Sequence, residues 1–142
     1  MGNAMARVDR FFEAVNAQDL DAVAGCCAAD VFLRTPSGQA DDRDEALYFH
    51  QVIWDAFPDQ RFTIDKAITQ DTDVVVAVTI TGTHEGPLLL AGGSVMAPTG
   101  RRMSLSACWT FCVEDDLIMS HQLYWDQLEL YAELGIALPD VS

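Results

Sequence analysis

Asp126 closes an alternating apolar run directly after Tyr124-Trp125. A carboxyl group set beside aromatic rings is partly stripped of water, which disfavours its charged form and raises its pKa above the ~3.9 reference. A base closer to neutrality is what removal of a proton from carbon requires. Asp126 also stands immediately before Gln127-Leu128, where a closing helix begins, so an N-cap is an equally good expectation for the same side chain. The two roles are compatible. His84 ends a long β-branched run in the string Thr81-Gly82-Thr83-His84-Glu85-Gly86. Gly82 and Gly86 let the backbone bend there. A neutral imidazole at a strand end beside a cavity can polarise a carbonyl or shuttle a proton; the plainer reading is a bond to the loop backbone. His121 lies five positions before Asp126, and strict alternation puts the two on opposite faces unless a bulge intervenes. It reads as a half-buried, satisfied histidine, with assistance to Asp126 as the alternative. His50 is expected to face solvent or the rim of any pocket.

Five large aromatics, Trp54, Phe57, Trp109, Tyr124 and Trp125, each read singly as core packing. As a set they suit a pocket for a flat, apolar ligand. Other chemistries find little support. His84-Glu85-Gly86 is not the two-histidine zinc string, and no Cys/His spacing matches a structural metal site. Ser104 and Ser106 sit mid-strand without a nucleophile elbow, and no phosphate-binding glycine loop occurs. Cys26, Cys27, Cys108 and Cys112 contain no C-x-x-C pair and read as reduced thiols of a cytoplasmic protein. No metal or cofactor is expected.

The elements that must position these residues follow from periodicity. Val8, Phe11, Phe12 and Val15 form one stripe of a first helix, and Asp19 caps a short second one carrying Leu20 and Val23. Val31-Phe32-Leu33 reads as a strand and Thr35-Pro36-Ser37-Gly38 as a turn. Asp44 is placed to cap a third helix with a wide apolar face through Ala46, Phe49, Ile53 and Phe57, with Leu47, His50 and Trp54 beside them, ended by Pro58. From Arg61 the period changes to two. Phe62, Ile64, Lys66 and Ile68 share a face, Gln70-Asp71-Thr72-Asp73 turns, and residues 74–84 form a strand buried on one face or both. Residues 86–100 are a loop with the apolar patch Leu88-Leu89-Leu90. In the next strand Met103, Leu105, Ala107, Trp109 and Phe111 face one way. Glu114-Asp115-Asp116 turns into a last strand over 117–125. Leu128, Leu130, Tyr131 and Leu134 then mark a closing helix, with Gly135 after its end. Helices first and a strand meander afterwards imply an α+β domain over residues 1–142, its helices on one face of a curved antiparallel sheet.

A net charge of −14, from 8 basic and 22 acidic residues, argues against nucleic acid or an anionic membrane as partner, because both need clustered Lys and Arg. No apolar run approaches the ~20 residues of a membrane helix, and the first nine residues carry no signal-peptide core.

In this order, several strings resemble the nuclear-transport-factor-2-like superfamily and, within it, the SnoaL-like polyketide cyclases and ester cyclases. They are Arg10-Phe11-Phe12-Glu13-Ala14-Val15-Asn16 with Asp19-Leu20-Asp21, Ala29-Asp30-Val31 and Ala56-Phe57-Pro58-Asp59. Further on come Thr81-Gly82-Thr83-His84-Glu85-Gly86, Pro98-Thr99-Gly100-Arg101-Arg102 and Tyr124-Trp125-Asp126-Gln127-Leu128. The resemblance runs from about Val8 to Gly135. It implies an open cone in which the curved sheet wraps a pocket and the helices close the narrow end. It also implies a catalyst that needs neither metal nor cofactor and closes a ring by intramolecular aldol reaction, with one Asp as general acid/base; that Asp carries over to Asp126. Relatives often hold an acid where this chain has Trp109, and some hold one where it has Leu123. The expectation is therefore a cofactor-independent acid/base enzyme acting on a small apolar or aromatic carbonyl compound. The alternative is a non-catalytic binding module with the same pocket. A homodimer is expected through the small-sided face of Ser104, Ser106, Cys108 and Thr110.

Overall fold

The first amphipathic stripe supplies the centre of the core. In the computed structural model, which describes residues 3–89 and 93–136, Val8, Phe11, Phe12 and Val15 of α1 (Asn3–Asn16) are all buried. The Phe11 ring lies 5.3–5.8 Å from those of Phe12, His50, Trp109, Phe111 and His121, mostly edge to face. Asn16 ends α1 and fixes it to the sheet, its side chain donating to the Phe62 carbonyl and accepting from the Phe62 N–H. Asp19 caps α2 (Leu20–Gly25) as expected, accepting from Ala22 N–H. α3 (Arg43–Ala56) is capped by Asp42 rather than Asp44: the cap must be extended, and Asp42 is, while its carboxylate reaches the Glu45 N–H at 2.9 Å. Asp44 already lies inside the first turn.

β1 (Cys27–Thr35) turns into a short β2 (Gly38–Ala40) where the sequence suggested only a turn. β3 (Arg61–Gln70), β4 (Asp73–Thr83), β7 (Arg102–Glu114) and β8 (Leu117–Trp125) form the meander, giving a six-stranded sheet in the order β2-β1-β8-β7-β4-β3. Every pairing is antiparallel except β1 with β8. A parallel pair needs a long connection, and here all the chain between β1 and β8 serves as one.

β4 buries one face only. Val74, Val76, Val78 and Ile80 are inside, whereas Val75 is exposed. β3 loses its alternation at a bulge around Asp65, whose carboxylate accepts from the Thr79 hydroxyl, and beyond it Ile68 turns out to solvent. The β7–β8 hairpin turns on Asp115 and Asp116, both left-handed, and Asp116 pairs with Arg7 of α1 at 2.5 Å. Residues 86–100 contain a two-stranded hairpin, β5 (Leu88–Leu89) with β6 (Val95–Met96), that lies apart from the main sheet; Leu90 lies outside the described residues. Gly86 has a steric reason, since a Cβ there would stand 1.8 Å from the Asp55 carbonyl oxygen at the end of α3. α4 (Gln127–Leu134) ends on Gly135 at φ 72°, as its sequence predicts. Among the described residues no helix is long and apolar enough to cross a membrane.

Candidate functional site

A cavity of about 360 Å³ lies between α3, the β1–β2 hairpin, the inner faces of β4, β7 and β8, and the start of α4. That is the low end of the ~300–1,000 Å³ usual for small-molecule sites. Leu33, Ile80, Met103, Leu105 and Leu123 supply the sheet wall, Phe49, His50, Ile53 and Phe57 the helix wall, and Leu88 and Leu89 one edge of the mouth. Leu105 is aliphatic, whereas two and three inward positions further along β7 the rings of Trp109, which pairs with Leu123, and Phe111 fill the core.

Most polar side chains on the wall are already committed. Thr35 serves its own turn, with its hydroxyl bonded to the Ser37 N–H and the Gly38 carbonyl. Gln127 accepts from the Trp125 indole and donates to the Tyr131 hydroxyl. Glu45, exposed at the rim, accepts from the Asp41 N–H. Among the described residues neither Lys nor Arg lines the cavity.

His50 is among those left uncommitted. It is 2 % exposed, its Nε2 has no hydrogen-bond partner among the described residues, and it lines the cavity. Burial among Phe11, Phe49, Trp54 and Trp109 pushes its pKa down to about 4, so the ring is neutral at pH 7. The expectation of a solvent-facing or rim histidine is thus corrected. Ala46, His50 and Trp54 repeat at i, i+4 and i+8 and are all buried, a stripe that was present in the sequence.

His121 shares the inner face of β8 with Leu123 and Trp125. Those two line the cavity; His121 lies beyond them, beneath α1. The Trp109 indole N–H donates to its Nδ1 at 3.1 Å with the two ring planes within 5° of parallel, so the proton of the neutral ring sits on Nε2, which has no partner among the described residues. Burial, and secondarily His50, push its pKa down to about 3. His121 is a core residue of the site's underside and does not line the cavity.

His84 and Asp126 lie outside the cavity and take the plainer of their two expected roles. His84 is buried outside the cavity behind Phe57, 5.4 Å ring to ring. Its Nδ1 bonds the hydroxyl and N–H of Thr99, and its backbone pairs with Arg101 and Gly100. It holds the 99–101 segment, which is the plainer of its two expected roles, and burial lowers its pKa. Asp126 is exposed. Its Oδ1 accepts from both the Leu128 N–H (2.9 Å) and the Glu129 N–H (3.2 Å), and it does not line the cavity. The chain leaves the strand at this residue, so the desolvated setting its neighbours suggested is absent.

Of the five aromatics, Phe57 and Trp125 line the cavity. Trp54 and Trp109 are buried in the core outside it, and Tyr124 is half exposed on the outer face, where it bonds Gln122. Cys26 and Cys27 are buried free thiols, and burial pushes that of Cys27 up to about 12. Among the described residues no three His, Cys, Asp or Glu side chains come together as a metal set.

Comparison with known proteins points one way. A family profile described as SnoaL-like polyketide cyclase matches residues 6–134. No curated protein matches at a significant level. A proposed SnoaL-like polyketide cyclase from Jannaschia sp. CCS1 superposes with TM-score 0.84 at 20 % identity, over 96 % of this chain and 94 % of that one. IdmH, a proposed polyketide cyclase from Streptomyces antibioticus, gives 0.78 at 25 % identity, covering 94 % and 99 %. AclR from Streptomyces galilaeus, a proposed hydroxylase, gives 0.81 at 23 % identity, covering 100 % and 86 %. The fold is the curved α+β roll of the nuclear-transport-factor-2-like and ketosteroid-isomerase-like proteins.

Proposed function

The chain belongs to the SnoaL-like polyketide cyclase family, and we propose that it is a cofactor-independent acid/base enzyme acting on a small, flat, largely apolar carbonyl compound. The observation that carries this reading is the position of His50, a buried ionisable side chain in a mostly apolar cavity wall. The neutral imidazole takes a proton from the carbon beside a carbonyl. The enolate attacks a second carbonyl of the same molecule, one carbon–carbon bond forms, and the imidazolium returns its proton to the new alkoxide. Nothing is consumed, and the ring ends neutral as it began. Return of the proton to a different carbon gives isomerisation instead. A pKa of about 4 makes His50 a weak base, but one comparable to the carboxylate, pKa ~4.6, that enolises ketosteroids. The fold does not choose between these outcomes; the site's chemistry must.

The second reading is a binding module that holds the same ligand without turnover. It is favoured by the lack of a carboxylate on the buried wall, where Leu123 stands, and by Trp109 in the core beside it; the family resemblance implies an acid at each of these positions in some relatives. A methyl diketone able to close to a six-membered ring separates the two. Catalysed loss of the diketone, followed by proton NMR, supports the enzyme. A diketone that binds and is recovered unchanged selects the module. We further expect a homodimer through the outer face of β7, where Ser104 and Ser106 are exposed and Cys108 and Thr110 half-buried. A monomeric mass in solution at micromolar concentration contradicts it.

A further inference from the structure

A second buried polar side chain interrupts the cavity wall, and the chemistry above leaves it unused. Gln60 is 8 % exposed and lines the cavity between Phe57 and Phe62, which line it too. Its backbone N–H donates to the Phe57 carbonyl at 3.0 Å, fixing it in the tight connection from α3 to β3. Its carboxamide makes no hydrogen bond to any described residue. The other two glutamines on the wall differ, since Gln127 is engaged by Trp125 and Tyr131 and Gln39 donates to Asp41. Unlike the His50 Nε2, its polar atoms are not closed off inside the wall, so the amide is free to pair with a ligand, and a ligand that covers it without pairing it incurs a desolvation cost.

We propose that Gln60 is the specificity-determining residue of the cavity: its side-chain N–H donates to the carbonyl oxygen of an uncharged ligand. The inference rests on the carbonyl-binding reading of the cavity given above. An amide donor in an apolar wall recognises a carbonyl more selectively than shape does, because a ligand lacking the oxygen leaves the amide unpaired. The same bond strengthens as negative charge grows on that oxygen during enolisation. Since among the described residues neither Lys nor Arg lines the cavity, the amide is the donor suited to a neutral oxygen rather than to an anion.

Titration calorimetry with β-tetralone and with tetralin, which has the same rings without the carbonyl, tests the assignment on the full chain. The wild type is expected to prefer the ketone. In Gln60→Met, which keeps length and loses the amide, that preference falls by about tenfold, with tetralin bound as before or tighter. Gln60→Glu, whose carboxylate has acceptors only when ionised, loses the preference as well and serves if the Met variant fails to fold. An unchanged ratio of ketone to hydrocarbon affinity in either folded variant overturns the role of Gln60 and leaves the cavity reading standing. A wild type that binds neither compound overturns both.

Discussion

Replacing Asp126 separates helix capping from chemistry, and the structure fixes the size of the effect. Both N–H groups capped by Asp126 bond the same oxygen, Oδ1. Asparagine carries one carbonyl oxygen in that place and can accept both bonds; alanine can accept neither. Loss of an N-cap costs ~1 kcal/mol, within a range of about 0.5–2. Replacing the charge by a neutral amide forfeits only the interaction with the helix N-terminus, ~0.3–1 kcal/mol at an exposed site and less in salt. Because Leu130 and Leu134 of α4 are buried, fraying of this helix opens the core rather than a free end. At a few degrees of melting temperature per kcal/mol, Asp126→Ala should melt about 4 °C below the wild type and Asp126→Asn within about 2 °C of it. The assay is thermal unfolding by circular dichroism at pH 7 and 0.1–0.2 M salt (about physiological), with ligand turnover measured on the same samples. The reasoning is refuted if both variants melt with the wild type, or if Asp126→Asn keeps the melting temperature and abolishes turnover.

Acid should destabilise the protein through its buried imidazoles. His50 and His121 have folded pKa values of about 4 and about 3, below the reference 6.5, so the unfolded chain takes up protons first as pH falls. Their contribution is whole above pH ~6.5 and is lost on the way down through ~4 and ~3, on the order of 3 kcal/mol for His50 and about 5 kcal/mol for His121. His50→Phe should therefore flatten the acid limb of a urea-unfolding series between about pH 6 and 4; an unchanged limb counts against a buried neutral His50. Gly86→Ala should lose about 1–3 kcal/mol by forcing the end of α3 away from the 1.8 Å clash with Asp55, and a melting temperature equal to the wild type contradicts the close approach. Ligand charge should matter strongly: β-naphthoate should bind at least about a hundredfold more weakly than β-tetralone, because a carboxylate buried without a cation is costly. Equal affinities in calorimetry contradict an apolar, cation-free wall.

The elements were legible where a single period governs them. The stripe of Val8, Phe11, Phe12 and Val15, the alternation of Met103, Leu105, Trp109 and Phe111, and the caps at Asp19 and Gly135 all read directly into the structure. The sequence could not show the parallel β1–β8 pair, which depends on how distant segments meet, or the bulge at Asp65, which needs the register of β4. The site was less legible. Asp126 has the same neighbours whether it faces a cavity or a helix end, and which one it meets depends on the chain leaving β8 at that residue. His84 was placed correctly at a strand end, but its partner Thr99 is 15 positions away. His50 flanks the apolar face of α3 in the sequence, and the spacing does not show which flank of that face is buried; the stripe of Ala46, His50 and Trp54 is the buried one. Gln60 carries no pattern at all. Its burial follows from the turn that Pro58 imposes between α3 and β3, and only the fold reveals it.

The reacting centre of the proposed chemistry lies at α3, inside the cavity, and away from the end of β8. Deuterium wash-in from heavy water at the carbon between ring and carbonyl of β-tetralone, followed by proton NMR at neutral pH, addresses that directly. The wild type and Asp126→Asn should accelerate the exchange equally, and His50→Phe should fall back to the buffer rate while still binding the ketone. Exchange that survives in His50→Phe, or that vanishes in Asp126→Asn, contradicts the assignment.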